Sequence, residues 1–223
     1  PTQQKIVSIL EKAEQAKEMR KEADKLTKDF LKSVFMEMFR DKMKFDKVKL
    51  GDIARLTMGG TPSTSVKEYW ENGIINWMKS GDIKGEFIYS VPNRITKLGL
   101  DNSNTEIYPI GTVVIALNGQ GKTRGTTAIL KLNTTSNQSV AGILLDKNKS
   151  FPEYVHYDLK LRYRELRNLT GDEERSGLNL TILRNLPIIL PPIELQNKFA
   201  SIVKEVESIK EQQKHSKEQI DKL

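Results

Sequence analysis

The apolar positions of the chain change their spacing twice. In residues 3–40 they recur every three or four positions, with charged residues between them, and this spacing is typical of an amphipathic helix. Residues 193–223 follow the same spacing directly after Pro191 and Pro192, and proline suits the first turn of a helix. We therefore predict a long helix at each end of the chain.

Residues 49–190 carry the residues that break helices, since all 14 glycines lie between Gly51 and Gly177. Helical spacing is clear there only at Pro152–Leu169, and we interpret Gly171–Gly177 as a loop. The other short apolar runs, bounded by Gly, Asn, Asp or Ser, predict strands. These runs are Ile74–Met78, Glu86–Tyr89, Thr112–Leu117, Thr127–Leu132 and Val140–Leu145.

The two flanking segments resemble each other. Residues 5–20 and 198–213 align with six identities in 16 positions, and five further positions pair apolar with apolar. Two explanations stay open: charged amphipathic helices share composition in general, or the flanks are copies of a repeat that pair as an antiparallel coiled coil. The second explanation predicts pairing through Ile6, Ile9, Ala13, Ala16, Phe199, Ile202, Val206 and Ile209.

Composition limits the chemistry that the chain could perform. Its 223 residues include 36 Lys and Arg against 29 Asp and Glu, a net charge of +7 that is compatible with phosphate contacts. There is no Cys, and the two histidines are His156 and His215, so we expect neither a disulfide framework nor a metal site. Without a membrane-spanning apolar run or a signal-peptide pattern, a cytoplasmic protein is predicted.

One segment imitates a nucleotide-binding motif. Residues Ala116–Thr123 fit a relaxed phosphate-loop pattern, in which Lys122 would contact phosphate and Thr123 magnesium. That mechanism needs a helix directly afterwards, whereas Arg124–Leu130 favours a strand. Two further interpretations are a Gly-rich hairpin loop and a polar loop that presents its side chains to a nucleic acid. A nucleotide hydrolase using Lys122 and Thr123 is the alternative function.

Other signals for an enzyme are weak. There is no G-x-S-x-G sequence, and His156 lies in the predicted core helix, where a packed or hydrogen-bonded histidine is the better interpretation. The loops hold Asn, Gln and Arg, which can bond to base edges, although Asn, Gly, Ser and Thr also simply form turns. A coiled-coil scaffold with no role on DNA is a third hypothesis.

Seven segments follow one another in a set order along the chain: Val48–Ile53, Gly59–Ser63, Ile75–Ile83, Gly111–Ile115, Gly121–Gly125, Asn137–Gln138 and Leu186–Pro192 followed by Gln196. In this order they resemble the target recognition domain of a type I restriction–modification specificity subunit. No single segment is specific, but their order between two similar helices is, and the resemblance covers essentially the whole chain. Leu31–Phe39 also resembles the end of the conserved helix that precedes a second recognition domain.

The resemblance implies an architecture and a set of partners. A full subunit has two recognition domains and this chain has one, so it resembles half a subunit; Pro1 without Met indicates a processed start, a fragment or an engineered piece. The implied fold is α+β: a globular recognition domain of short, mostly antiparallel strands at 46–190, carried on two long antiparallel coiled-coil helices at 1–45 and 191–223. The implied partners are double-stranded DNA, methyltransferase subunits and restriction subunits, with no cofactor and no catalytic centre. The length of the two helices adds a separate expectation, that a half subunit pairs with a second copy of the chain.

The candidate DNA-contacting residues share two properties: they are expected in loops, and they match motifs of the family. Lys and Arg would contact phosphates and set the register, while base-edge contacts would carry the sequence information. Trp77 and Asp82 are instead expected to be structural, Trp77 in the core and Asp82 fixing a turn. The candidates are Thr61, Ser63, Lys79, Asn118, Gln120, Lys122, Thr123, Arg124, Asn137 and Gln138.

Overall fold

A computed structural model describes residues 2–39, 41, 44–119, 121–169 and 177–220. It divides into two compact units, one made of residues 1–40 with 198–223 and the other of residues 41–197. Most of the predicted loop at 171–177 lies outside the described residues. No helix in the described part of the chain combines the length and the apolar character needed to cross a membrane.

The described residues form long helices at the two ends and short elements between them. The helices are α1 (Thr2–Met38), α2 (Leu50–Ile53), α3 (Lys97–Asp101), α4 (Pro152–Leu161), α5 (Tyr163–Asn168), α6 (Leu180–Arg184) and α7 (Ile193–Ile220). The strands are β1 (Asp46–Lys49), β2 (Ala54–Met58), β3 (Ile75–Met78), β4 (Phe87–Ile88), β5 (Asn93–Ile95), β6 (Val113–Ala116), β7 (Thr127–Leu130), β8 (Thr135–Ser136), β9 (Val140–Leu145) and β10 (Pro187–Leu190).

The first unit contains α1 and the greater part of α7, so the two predicted terminal helices are confirmed. Near the end of α1, the rings of Phe35 and Phe39 lie 4.8 Å apart, and they meet the ring of Phe199 at 5.2 and 5.8 Å. Tilted and edge-on aromatic pairs at this separation are favourable. This aromatic cluster therefore joins the last turns of α1 to the first part of α7.

The predicted pairing residues of these helices differ in exposure. The side chains at positions 9 and 13 lie outside the described residues. Ile6 is 52% exposed and Ile209 is 49% exposed, so pairing along the whole length of the helices stays a prediction. The remaining positions are buried or partly buried, and they are Phe199, Val206, Ile202 and Ala16.

The second unit is built around a five-stranded sheet with the strand order β2-β9-β6-β7-β4. Its neighbouring strands are antiparallel, apart from β4, which runs parallel to β7. A three-stranded sheet, β5-β3-β8, and an antiparallel pair of β1 with β10 complete the set. The prediction of short, mostly antiparallel strands combined with helices is confirmed.

The central strands are buried on both faces. Val114 of β6 and Leu130 of β7 belong to one apolar cluster with Met78 of the smaller sheet. The alternate residues face α4, since the Thr127 hydroxyl lies 3.0 Å from Nδ1 of His156. A strand that is covered on both sides has a continuous apolar sequence, which is why the sequence predicted β6, β7 and β9.

The predicted helix Pro152–Leu169 is wrong in one respect, because it is two helices. Helix α4 ends before Arg162 and α5 begins after it. The Arg162 guanidinium donates to the carboxylates of Asp158 and Glu165 and to the Pro187 carbonyl oxygen. The apolar spacing continues across this residue, so the sequence carries no sign of the break.

The start of α7 is tied to the turn before α4 through Gln196, which is fully buried. Its Oε1 accepts hydrogen bonds from the Ser150 hydroxyl at 2.8 Å and the Phe151 amide at 3.0 Å. Its Nε2 donates to the carbonyl oxygens of Pro191 at 2.8 Å and Lys149 at 3.3 Å. One side chain thus satisfies four polar groups of two segments that are distant in sequence.

Candidate nucleic-acid interface

The predicted DNA-contacting residues that the structure describes gather at one end of the five-stranded sheet. Strand β9 is antiparallel to both β2 and β6, and β7 is antiparallel to β6. The chain therefore leaves β2 and β6, and enters β7 and β9, at the same end. The loops at this end include residues 59–63, 117–126 and 137–139.

The loop after β2 packs on the residues before β9. The Thr61 hydroxyl donates to Oε1 of Gln138 at 2.6 Å, although the two residues are 77 positions apart. The Gly60 amide donates to the Ser136 carbonyl oxygen at 2.8 Å, and the Gly60 carbonyl accepts from the Trp77 indole at 3.0 Å. The fold thus brings Thr61 and Gln138 together as one exposed polar pair.

The end of β3 lies beside this pair, because Met78 is in register with Ser136. Lys79 is exposed, and its Nζ lies 5.4 Å from the centroid of the Trp77 ring. Trp77 is only 3% exposed, and the Asp82 carboxylate accepts from the Lys79 amide at 2.7 Å. The structural roles expected for Trp77 and Asp82 are both confirmed.

Two predicted candidates in these loops hydrogen-bond within their own segments. The Ser63 hydroxyl lies 2.8 Å from the hydroxyl of Ser65, and both residues are exposed. Asn137 is half-buried, and its Oδ1 accepts from the Ser139 amide at 3.2 Å. The Asn137 side chain therefore supports a turn, whereas its neighbour Gln138 is exposed.

The 117–126 loop adjoins the first group, since the Leu117 amide donates to the Ser139 carbonyl oxygen at 2.9 Å. Asn118 and Lys122 are exposed. Thr123 and Arg124 are half-buried. The candidate Gln120 lies outside the described residues.

This loop is closed by a short hydrogen-bonded turn. The Gly125 amide donates to the Ala116 carbonyl oxygen at 2.9 Å, and the Thr126 amide donates to the Thr123 carbonyl oxygen at 3.0 Å. Gly119 has a φ of 147°, and a Cβ built there would come within 2.7 Å of the Thr123 side chain. Glycine is therefore required at position 119.

The phosphate-loop alternative lacks the geometry that it needs. The described residues after Lys122 form turns up to Gly125 and then enter β7, with no helix among them. Since β6 and β7 pair directly, the segment is a Gly-rich hairpin loop, one of the interpretations left open by the sequence. A phosphate held by amides at the start of a helix is excluded there.

Exposed lysines accompany the polar loops at this end of the sheet. Lys79 follows β3, Lys84 precedes β4, and Lys122 lies in the loop after β6. The start of β4 lies at the same end as the start of β7, because these strands are parallel. Flexible cations around a polar surface suit contacts to a phosphate backbone.

Residues 42–222 match the family profile of the type I restriction modification DNA specificity domain. The chain belongs to this family. It is 29% identical over 184 residues to the type I restriction enzyme MjaIX specificity subunit of Methanocaldococcus jannaschii, covering 80% of this chain and 41% of that protein. It is 26% identical over 165 residues to the EcoR124I/EcoR124II specificity subunit of Escherichia coli, covering 72% and 40%.

The fold of this specificity domain is also found among solved structures. The HsdS subunit from Thermoanaerobacter tengcongensis superposes with a TM-score of 0.61 at 18% sequence identity, over 92% of this chain and 49% of that one. This likeness supports the α+β fold. The chain spans about two fifths of the length of the two curated relatives.

Sequence reasoning missed two side chains that contact the 117–126 loop of the specificity domain. Tyr163 and Arg167, on α5, donate hydrogen bonds to backbone carbonyls of the 117–126 loop. Their spacing of four places both on one face of the helix. Nothing in the sequence links that face to a loop some forty residues earlier, and only the fold brings the two together.

His156 is a packed residue of the specificity domain, as the sequence predicted. It is 1% exposed, and its ring meets that of Tyr157 edge-on at 5.4 Å. Burial, which penalises the charged form, and the nearby Lys160 lower the pKa of His156 to about 3, against a smaller opposing effect of Glu86.

We expect the free energy of unfolding to decrease as the pH is lowered, because of His156. Between its ordinary pKa of 6.5 and about 3, the unfolded chain binds a proton that the folded chain excludes, so stability is full above pH 6.5 and is lost as the pH falls. The loss reaches about 2 kcal/mol at pH 5. Urea unfolding at pH 7, 6 and 5 measures it. His156→Asn, which is neutral throughout, should lose about 2 kcal/mol less over this interval, and identical pH profiles would contradict the prediction.

Proposed function

We propose that this chain is the DNA-reading subunit of a type I restriction–modification system and that it recognises one half of a bipartite double-stranded site. The observation that supports this most directly is the convergence of three polar loops, at 59–63, 117–126 and 137–139, on one end of the sheet. Three exposed lysines surround them. The chain itself would make and break no bonds, and it would need no cofactor.

In this proposal, phosphate contacts and base contacts are divided among different residues. Lys79, Lys84 and Lys122 would bind the DNA backbone and set the orientation of the domain. The amide of Gln138 would contact a base edge, and its bond from Thr61 restrains that amide before DNA arrives. The guanidinium of Arg124 would bond to a guanine.

The long helices would carry the assembly. We propose that α1 and α7 pair as an antiparallel coiled coil, that two chains associate through these helices, and that the helices dock methyltransferase and restriction subunits in the cytoplasm. Apolar side chains on α1 support this, because they are about half exposed or more and need partners. They are Ile6, Val7, Leu10, Met19, Leu26, Phe30 and Met36.

A symmetric pair presents the same recognition domain twice. The proposed dimer must therefore recognise a palindromic bipartite sequence.

The decisive experiment is co-expression of the full chain with the methyltransferase subunit of its own system, followed by purification and mapping of methylated bases. We expect the two proteins to purify together and to methylate one bipartite palindromic sequence. Methylation without sequence preference, or no association, would overturn the proposed function. A bipartite site with unlike halves would overturn only the dimer.

Arg124→Ala provides a residue-level prediction. If Arg124 reads a guanine, its loss should cost roughly 1–3 kcal/mol on the recognised sequence and relax selectivity at one position. Lys84→Ala, at the same end of the sheet, should instead weaken binding to every duplex and reduce the salt dependence. Titrations with matched and mismatched duplexes at three salt concentrations separate these patterns. Uniform weakening by Arg124→Ala would assign it to a phosphate.

A further inference from the structure

Two side chains of α5 hold the backbone of the 117–126 loop. The Tyr163 hydroxyl donates to the Lys122 carbonyl oxygen at 2.8 Å, and Nη1 of Arg167 donates to the Arg124 carbonyl oxygen at 3.1 Å. Nη1 of Arg167 also donates to the Tyr163 hydroxyl at 3.3 Å, and the guanidinium carbon lies 5.5 Å from the Tyr163 ring centroid. Tyr163 and Arg167 thus form one connected brace.

The brace acts on the part of the loop that carries cationic side chains. Gly125 has a φ of 83° and is buried, and a Cβ built there would lie 3.6 Å from both Tyr163 and Arg167. On its other side the Gly125 amide is bonded to β6 through Ala116. Residues 122–125 are therefore held between the sheet and α5.

A loop of this composition needs such support. Gly119 and Gly121, like Gly125, have positive φ values, and glycine has the largest backbone freedom to lose on ordering. An unbraced loop would become ordered only on a duplex whose bases it can bond, and that cost would lower the affinity for the right sequence. Binding to a wrong sequence through phosphate contacts alone would not pay this cost, so the difference in affinity would shrink. A loop that is ordered beforehand presents its side chains in one register.

We propose that Tyr163 and Arg167 are positioning residues for sequence recognition. They fix the backbone from Lys122 to Arg124, and they act through that backbone. This inference rests on the proposed function of the loop in DNA recognition, and it names two residues, outside the motifs of the family resemblance, on which the selectivity of the loop depends.

Hydrogen exchange of the full chain without DNA tests the brace itself. Tyr163→Phe removes only the hydroxyl, and we expect the amides of residues 121–126 to exchange about fivefold faster, as for the loss of one ordinary hydrogen bond. The equilibrium constant of unfolding in urea should rise by no more than the same fivefold, and amides of β6 and β9 that exchange through local fluctuations should stay unchanged. Tyr89→Phe is the control, since Tyr89 follows β4 and lies toward the opposite end of the sheet. Unchanged exchange in the loop would overturn the proposal.

Selection from duplexes of randomised sequence, using the full chain with its methyltransferase subunit, tests the consequence. Tyr163→Phe and Arg167→Lys should each reduce the affinity ratio between the selected duplex and a scrambled one by about fivefold. The slope of affinity against salt should not change, because Arg167→Lys keeps the charge. An equal loss of affinity on both duplexes would indicate that these residues contact the DNA backbone directly, and it would overturn the proposal.

The two experiments distinguish a failure of the proposed DNA-reading function from a failure of the positioning role of Tyr163 and Arg167. If the wild-type chain selects no sequence, the proposed function fails, and the positioning role fails with it. If the wild-type chain selects a sequence and the variants select it equally well, only the positioning role is overturned.

Discussion

Gln196→Ala is expected to lower the free energy of unfolding by about 3 kcal/mol, more than most single substitutions. The side chain is fully buried, and its removal leaves the Phe151 amide and the Pro191 carbonyl oxygen without their partner. Alanine cannot replace either bond, and the cavity adds to the cost. Urea unfolding at pH 7 measures the difference.

Two further variants make the Gln196 experiment specific. Gln212→Ala, on the exposed part of the same helix, should change stability by less than about 0.5 kcal/mol. Gln196→Glu keeps the shape but turns an oxygen toward the carbonyls of Pro191 and Lys149, so it must be protonated to fit. Its stability should therefore fall as the pH rises from 4 to 7. An alanine variant as stable as the wild type would show that this network contributes nothing.

Gly59→Ala is the second large expected effect. A Cβ at this position would overlap the carbonyl oxygen of Ser136, and the carbonyl carbon would lie only 2.5 Å away. Ser136 cannot move freely, because its carbonyl accepts hydrogen bonds from the Gly60 amide and the Thr105 hydroxyl. We expect a loss of about 3 kcal/mol, since an added methyl group in a packed site forces the backbone to shift.

The same variant should also weaken DNA binding. Moving residue 59 away from Ser136 separates Thr61 from Gln138, whose hydrogen bond joins the two loops. Gly81→Ala is the matched control at the same end of the sheet, because a Cβ there would meet nothing within 4 Å. Urea unfolding and duplex titration should leave Gly81→Ala near wild type. Equal behaviour of the two variants would contradict the close approach at Gly59.

The strands that the sequence predicted are those whose stability comes from apolar burial. Strand β9 begins and ends where the pattern places it, Val140–Leu145, because its middle residues are covered on both faces. The predictable part of the fold also includes both terminal helices, where the spacing extends over many turns.

Apart from β10, which is the apolar run Pro187–Leu190, the strands that the sequence missed depend on contacts that a hydrophobic pattern does not record. Strand β8 contains only Thr135 and Ser136, and both are buried because their hydroxyls bond to the Asn76 carbonyl oxygen and the Tyr108 hydroxyl. Strand β2 lies at the edge of its sheet and includes the exposed Arg55. The missed strands are β1, β2, β5, β8 and β10.

The candidate interface was predictable in its residue types and not in its arrangement. The motifs named Thr61 and Gln138 separately, but their hydrogen bond follows from the antiparallel register of β2 with β9. The sequence also gave no means to distinguish Asn137, which supports a turn, from its exposed neighbour Gln138. Tyr163 and Arg167 were missed because they act on backbone atoms, which have no signature in the side chains of the loop.

The hydrogen bonds of Gln196 have a consequence for the exchange of recognition domains between related proteins. Its partners at 149–151 and at Pro191 lie in segments that meet only in the folded chain. Consider a hybrid of two related proteins in which the sequence of one changes to that of the other between residues 151 and 190. Residues 149–151 would then come from one parent and Gln196 from the other, and any mismatch would affect the hydrogen bonds of this buried amide. Crossovers placed before residue 149 or after Gln196 inherit the whole junction from one parent, so they avoid a mismatch at this amide.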